Sequence, residues 1–283
     1  MLVVSTEYSQ ILAANVAKGL DCPLGGVRFS RFPDGEHYLR LSATDRDMVI
    51  VGGIPDADAL VQILLLVDAC EGAEITLVVP YVGYARQDKQ FHAGEPLSAR
   101  AIARVLSTGV SRVLTVNIHD RAVLSHFNVP AHDASLAGEI GRYLEKNAFN
   151  HPLVLAPDDG AAAFAGQVAA VCGWETDHLE KTRISGNEVR MAPRNLEAKG
   201  RDVVIVDDII STGGTLATSA AMLKEQGAKS VSSVCVHGVL AEGAYARLLS
   251  GGIREVACSD TLERACSRYS AAGAVVDGIK GCW

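Results

Sequence analysis

The sequence predicts an α/β protein of two halves, each a largely parallel, doubly wound sheet flanked by helices. Three observations carry that expectation. Short β-branched runs alternate with helix-patterned segments over nearly the whole 283 residues. The runs are apolar throughout rather than alternating, as parallel strands covered on both faces must be. There are also more strands than one sheet holds comfortably, and the alternation pauses at Asn147–Pro152. Two domains are therefore expected, 1–147 and 148–283, in keeping with roughly 100–200 residues per domain.

In chain order, strands are expected at Met48–Val51, Ile75–Val79 and Val113–Ile118 in the first half. The second half offers Leu153–Ala156, Val203–Val206, Val231–Val236 and Glu255–Cys258. Helical periodicity fills the intervals at Leu60–Cys70, Ala99–Leu106, Leu136–Lys146, Ala161–Cys172, Thr215–Gln226 and Ala241–Leu249. Strand and helix alternating at this spacing read as βαβ units. Gly72 and Gly227 suit the left-handed position that ends a helix.

Composition narrows the class. Hydrophobic residues at 48% and charged residues at 21% support a sizeable core and exclude a disordered chain. A net charge of −7 argues against general binding to nucleic acid or to an anionic membrane surface. Nucleotides stay possible, since local charge and metal grip them. Seven scattered cysteines without a C-x-x-C pair fit reduced thiols better than a disulfide framework. The N-terminus lacks a basic stretch followed by an apolar one, and apolar runs such as Ile63–Val67 are too short to span a bilayer. A soluble cytoplasmic protein is expected.

The strongest local signal is Arg201-Asp-Val-Val-Ile-Val-Asp-Asp-Ile-Ile-Ser-Thr-Gly-Gly-Thr215. An apolar strand runs into two carboxylates, then into a hydroxyl- and glycine-rich turn that opens a helix. Ligands of open α/β sheets sit beyond the carboxyl ends of strands. Ser211, Thr212, Gly213, Gly214 and Thr215 would offer N–H and hydroxyl groups to a phosphate at a helix N-terminus. Asp207 and Asp208 repel phosphate, so sugar hydroxyls or a phosphate-bound Mg²⁺ are their natural partners. Neither G-x-G-x-x-G nor G-x-x-x-x-G-K-[ST] occurs.

Four further segments carry chemistry. Arg31-Phe-Pro-Asp-Gly-Glu36 sets an aromatic ring beside two acids, a combination that stacks on a base and accepts from its amine. Pro80-Tyr-Val-Gly-Tyr-Ala-Arg-Gln-Asp-Lys89 follows a strand and offers Arg86 for phosphate and Gln87 for a base edge. Val116-Asn-Ile-His-Asp120 and Ala156-Pro-Asp-Asp-Gly160 each end a strand, presenting His119 and Asp158 as ligands or anchors for a divalent cation. Leu179–Val189 carries Lys181 and Arg183 into a polar loop.

The Asp207–Thr215 segment resembles the phosphoribosyl pyrophosphate loop shared by type I phosphoribosyltransferases and ribose-phosphate pyrophosphokinases. Phe-x-Asp-x-Glu followed by Tyr-Ala-Arg-Gln-Asp-Lys resembles the ATP-binding pair of the pyrophosphokinases, and the Lys-x-Arg segment resembles their flexible loop. The likeness runs from about Met1 to Val276, nearest to the short archaeal form. It implies two tandem type I phosphoribosyltransferase-like domains. The expected reaction moves the β,γ-diphosphate of ATP to O1 of ribose 5-phosphate, with Mg²⁺ as cofactor; the alternatives are a phosphoribosyltransferase or a non-catalytic regulatory relative. By resemblance, Phe32, Asp34, Glu36, Arg86 and Gln87 bind ATP, and His119 and Asp158 anchor metal. Lys181 and Arg183 are catalytic; Asp207 and Asp208 hold the ribose hydroxyls, and Ser211–Thr215 hold its phosphate. The Phe32 loop is supplied to a neighbouring subunit in this family, which implies a homo-oligomer built from dimers. Departures from the family pattern are Asn117 and Asp120 beside His119, and Asp159 and Ala161 beside Asp158.

Overall fold

The computed structural model describes residues 1–147, 149, 152–183, 189–192 and 198–281, with 180–183 and 189–192 described by their backbone alone. The chain divides into two compact units. Unit 1 holds Met1–Ser135, Asp260–Glu263 and the C-terminal helix; unit 2 holds Leu136–Ser259 with Arg264–Tyr269. The junction at Ser135/Leu136 precedes the expected boundary at 147, because the helix Leu136–Lys146 packs within unit 2.

Unit 1 contains β1 (Leu2–Ser5), α1 (Gln10–Leu20), β2 (Val27–Arg31), β3 (His37–Leu41), β4 (Asp47–Val51), α2 (Ala57–Ala69), β5 (Glu74–Val79), α3 (Ser98–Leu106), β6 (Arg112–Val116) and β7 (Ala131–Ala134). Five strands form a parallel sheet in the order β1-β4-β5-β6-β7. From β1 the chain passes through α1 to a parallel bridge, Val3 with Leu24, on one flank, then returns to β4 on the other. That reversal makes the unit doubly wound. Ile50, Leu77 and Val113 are fully buried beneath Ile63 and Leu66 of α2 and Ala99 and Ala103 of α3. Each large apolar side chain removed from water contributes about 1.5–3 kcal/mol.

Unit 2 contains α4 (Ala137–Glu145), β8 (Leu153–Ala156), α5 (Asp159–Cys172), β9 (Glu175–His178), β10 (Glu180–Arg183), β11 (Val189–Ala192), β12 (Asp202–Ile210), α6 (Gly214–Glu225), β13 (Ser230–Gly238), α7 (Ala244–Ser250), β14 (Val256–Ser259) and β15 (Ser267–Tyr269). Its parallel six-stranded sheet has the order β15-β14-β13-β12-β8-β9. From β8 the chain lays β9 on one side and β12 on the other, so the switch point falls between β8 and β12. Crevices at such points, beyond the carboxyl ends of the strands, are where ligands of these sheets bind. The chain then ends in α8 (Ala272–Gly281), which packs on α1 in unit 1.

All seven expected strands and six expected helices are present, with shifted ends. Left-handed Asn117 stops β6 at Val116, ahead of the expected Ile118. β12 runs past Val206 to Ile210, carrying both acids inside the strand. Among the described residues, no helix is long and apolar enough to cross a membrane.

Candidate active site

The switch point of unit 2 gathers the acids. Asp207 and Asp208 lie in the second half of β12, where Asp207 pairs in register with Cys235 of β13. Oδ1 of Asp207 accepts the Asp208 N–H at 2.9 Å. Burial first, then the neighbouring Asp208, push the Asp207 carboxyl far above the usual carboxylate range, and Asp158 adds to the effect. Asp158 follows β8 across the switch point and caps α5, its Oδ1 accepting from the Ala161 N–H at 3.2 Å. Asp208 and Asp158 thus add negative charge near Asp207, a setting suited to hydroxyl donors.

The turn after β12 is built as expected. Ser211, Thr212 and Gly213 lead to α6, which begins at Gly214. Gly213 has φ +70°, and a Cβ there would stand 3.0 Å from Leu248, so only glycine fits without strain. Thr212, Gly214 and Thr215 are exposed at the start of the helix, where free N–H groups attract anions. Arg247 of α7, which sequence reasoning missed, ties the turn down: Nη1 donates to the Thr212 carbonyl and Nη2 to the Glu242 carbonyl at 3.1 Å. No sequence signal marks it, because α7 reaches the turn only in the folded unit.

Lys181 and Arg183 lie on β10, paired antiparallel with β11 in the register Lys181–Met191 and Arg183–Val189. Their side chains lie outside the description, as does the connecting segment 184–188. The expected charged loop is thus a two-stranded ribbon at its base.

In unit 1, the segments after β5 and β6 meet, because these strands are neighbours. Gly83 lets the first loop leave its strand: a Cβ there would stand 2.2 Å from the Ile54 carbonyl oxygen. Arg86 is exposed. The Gln87 carboxamide oxygen accepts from the Ser98 hydroxyl, which leaves its NH₂ group to read a ligand. Asp120 is held below the usual carboxylate range, first by the Ala122 N–H, with help from Asp88, Lys89 and His119. Asp88 and Lys89 of one loop therefore stand beside His119 and Asp120 of the other. His119 is exposed.

Phe32, Asp34 and Glu36 sit on the turn of the β2–β3 hairpin. The Phe32 N–H donates to the Glu36 carbonyl at 2.9 Å, and Asp34 accepts the Glu36 N–H at 3.3 Å. Phe32 is half exposed and meets Tyr38 edge-on at 5.7 Å. Arg31 and His37, at the two strand ends, both reach Asp58 of α2, at 2.5 and 3.5 Å. Arg31 also donates to the Gly35 carbonyl at 2.8 Å. His119 belongs to unit 1 and Asp158 to unit 2. Among the described residues, no group of three or more His, Cys, Asp or Glu is placed to hold a metal ion.

Two open α/β units, one with an acidic strand end leading into a phosphate-type helix start, define a phosphoribosyl-binding class of protein. Comparison with known proteins refines the class. Residues 1–109 match the N-terminal domain of ribose phosphate pyrophosphokinase, and residues 129–261 match the phosphoribosyl transferase domain. The ribose-phosphate pyrophosphokinase of Methanosarcina acetivorans is 44% identical over 283 residues, covering 99% of each chain. That of Methanopyrus kandleri is 39% identical over 287 residues, again covering 99% of each. The crystal structure of phosphoribosylpyrophosphate synthetase from Mycobacterium smegmatis superposes with a TM-score of 0.82 at 29% identity, over 99% of this chain and 98% of that one. The chain belongs to the ribose-phosphate pyrophosphokinase family.

Proposed function

We infer that this protein transfers the β,γ-diphosphate of ATP to O1 of ribose 5-phosphate, giving 5-phosphoribosyl 1-diphosphate and AMP. The observation that carries the reading is the acidic switch point of unit 2 opening onto the Ser211–Thr215 turn. Carboxylates for hydroxyls beside N–H groups for phosphate suit a sugar phosphate. Asp207 and Asp208 orient the ribose, and Ser211, Thr212, Gly213, Gly214 and Thr215 hold its phosphate. Unit 1 is assigned to ATP: Phe32 stacks on adenine, Asp34 and Glu36 accept from its amine, and Arg86 and Gln87 contact the nucleotide. Unit 1, which is Met1–Ser135 with Asp260–Glu263 and the last helix, is thus assigned to ATP, and unit 2, Leu136–Ser259 with Arg264–Tyr269, to ribose 5-phosphate. The half-exposed Phe32 turn suits donation to a second copy, so a homo-oligomer built from dimers is part of the reading.

The residues fit Mg²⁺. Burial holds Asp207 against its own charge, and hard carboxylate oxygens match a cation that keeps water and phosphate oxygens among its ligands. Asp158 of unit 2 would anchor it, and His119 of unit 1 is a candidate ligand by the family resemblance alone. When bound, Mg²⁺ neutralises phosphate oxygens. The chain's own part is alignment and charge stabilisation, since phosphoryl displacements need little covalent help. Lys181 and Arg183 stabilise charge on the diphosphate in transfer and on departing AMP.

The test is the product. Purified protein with ATP, ribose 5-phosphate and Mg²⁺ should release AMP. Release of ADP with a ribose bisphosphate would show attack on the wrong phosphorus and end the assignment.

A further inference from the structure

Unit 2 carries a group of thiols that the reaction above does not use. Cys258 lies in β14, and Cys266 immediately precedes β15. The Cys258 N–H donates to the Cys266 carbonyl at 3.0 Å, and their sulfurs face each other at 3.4 Å. Both are free thiols and buried. A disulfide needs sulfurs about 2.05 Å apart, so the pair is roughly 1.4 Å short of bonding. We propose that Cys258 and Cys266 are a peroxide-oxidised dithiol, closing to an intrachain disulfide across the β14–β15 edge.

Buried cysteines are ordinarily inert, because a low dielectric disfavours the thiolate. Cys70 and Cys172 follow that rule, burial pushing each up to about 11. Cys266 departs from it. The hydrogen bond with Cys258 lowers it, against burial, with support from its own N–H and from Arg268 and Arg264. Both guanidinium groups are held near: Arg264 Nε donates to the Gly238 carbonyl at 3.1 Å, and Arg268 Nη1 to the Ala265 carbonyl at 3.3 Å. Cys258 is pushed the other way, first by its hydrogen bond with Cys266 and then by burial, and either sulfur can donate in that bond. One sulfur is thus suited to attack, and the other to resolve.

The chemistry balances with a hydroperoxide as oxidant. The Cys266 thiolate attacks one peroxide oxygen; the O–O bond breaks, an S–O bond forms, and hydroxide leaves as water after protonation. Cys258 sulfur then attacks the Cys266 sulfenic acid. The S–S bond forms, the S–O bond breaks, and the Cys258 proton leaves with the hydroxide as a second water. Two electrons pass from the thiol pair to the peroxide. Hydrogen peroxide is little larger than water, so a brief opening of the strand edge admits it. Bulky disulfides need far more room. Cys235, opposite Cys258 in the β13–β14 register, is the competing partner. It lacks the lowered acidity of Cys266, since burial raises it strongly.

The full chain exposed to dilute hydrogen peroxide, then mapped by mass spectrometry without reduction, tests the proposal. The expected result is a 258–266 cross-linked peptide lighter by two hydrogens, released by dithiothreitol, while oxidised glutathione acts many-fold more slowly. In Cys258→Ser, Cys266 should instead accumulate a sulfenic acid that dimedone traps. A 235–258 link overturns the proposal. So does oxidation of Cys22 and Cys172 with Cys266 untouched, or direct passage of Cys266 to sulfinic acid in the unaltered chain. The mapping of the unaltered chain decides the matter even if a variant fails to fold.

Discussion

Asp207 stands where its own charge is unwelcome, half-buried beside Asp208 and within the field of Asp158. A carboxylate kept in such a place is a candidate for serving a ligand, because burial of an unpaired charge costs stability. Asp207→Asn and Asp208→Asn should therefore raise KM for ribose 5-phosphate more than KM for ATP. Equal loss of both substrates in steady-state assays would instead make these acids organisers of metal. Lys181→Ala or Arg183→Ala should lower kcat by about 10²–10³ with a smaller change in KM, as loss of a transition-state donor does. A change within about twofold, under ~0.5 kcal/mol, would leave them with no part in catalysis. At this scale the acids and the glycine turn were legible, because strand, acids and turn are contiguous. Arg247 was not. Its clamp on Thr212 joins residues far apart in sequence, and a helix arginine looks like any solvated one.

The elements readable in the sequence were those with strong apolar runs, such as β5 and β13, and those with clear helical period. β2 and β3 escaped notice because their burial alternates weakly, with no face fully buried. β1 is a four-residue run at the chain start, and α8 is rich in glycine and alanine. The two switch points also differ in a way that composition hides. In unit 1 the ends of β1 and β4 are stitched shut: Thr6 N–H donates to the Val51 carbonyl at 3.1 Å and Gly53 N–H to Ser9 Oγ at 2.9 Å. Its candidate ligand groups come from other edges, and the hairpin is one of them. Asp58 fastens that hairpin to α2 through Arg31 and His37. Arg31 and Asp58 are about half exposed, and surface ion pairs contribute roughly 0–1 kcal/mol. Asp58→Ala should thus raise KM for ATP only about two- to fivefold and leave kcat and the fold intact; no change would show that the hairpin needs no fastening. Arg247→Ala removes one hydrogen bond to the Ser211–Thr215 turn and one to the Glu242 carbonyl, each contributing about 0.5–1.5 kcal/mol. About a tenfold rise in KM for ribose 5-phosphate is expected, with ATP binding unaltered by calorimetry.

For the whole molecule, pH decides between two sets of carboxylates. Asp260 accepts from the Ser270 hydroxyl at 2.5 Å and the Ala271 N–H at 2.7 Å, and Glu263 from the Ile11 and Leu12 N–H groups at 2.6 and 3.0 Å. These bonds tie the segment Asp260–Glu263 and the last helix into unit 1. Burial nevertheless raises both groups, and likewise Asp133, which accepts from Thr115 and Ile118. A carboxyl raised in the folded state favours folding below its unfolded value and loses that contribution as pH rises through the folded one. The three therefore weaken unit 1 on going upward from their ordinary values of 3.8, 3.8 and 4.5. Asp45, Asp58 and Asp120 are lowered instead, first by the Asp47 N–H, Arg31 and the Ala122 N–H respectively. Their contribution is present above 3.8 and is lost only below it. They are exposed and screened, so the buried set governs the slope above that point. Thermal unfolding without ligand should accordingly give a higher Tm near about pH 5 than near about pH 7.5, a direction set by proton linkage. Asp260→Asn, which keeps an acceptor but removes the charge, should flatten the decline. A Tm that climbs steadily across the same range would show that the hydrogen bonds at Asp133, Asp260 and Glu263 outweigh their burial.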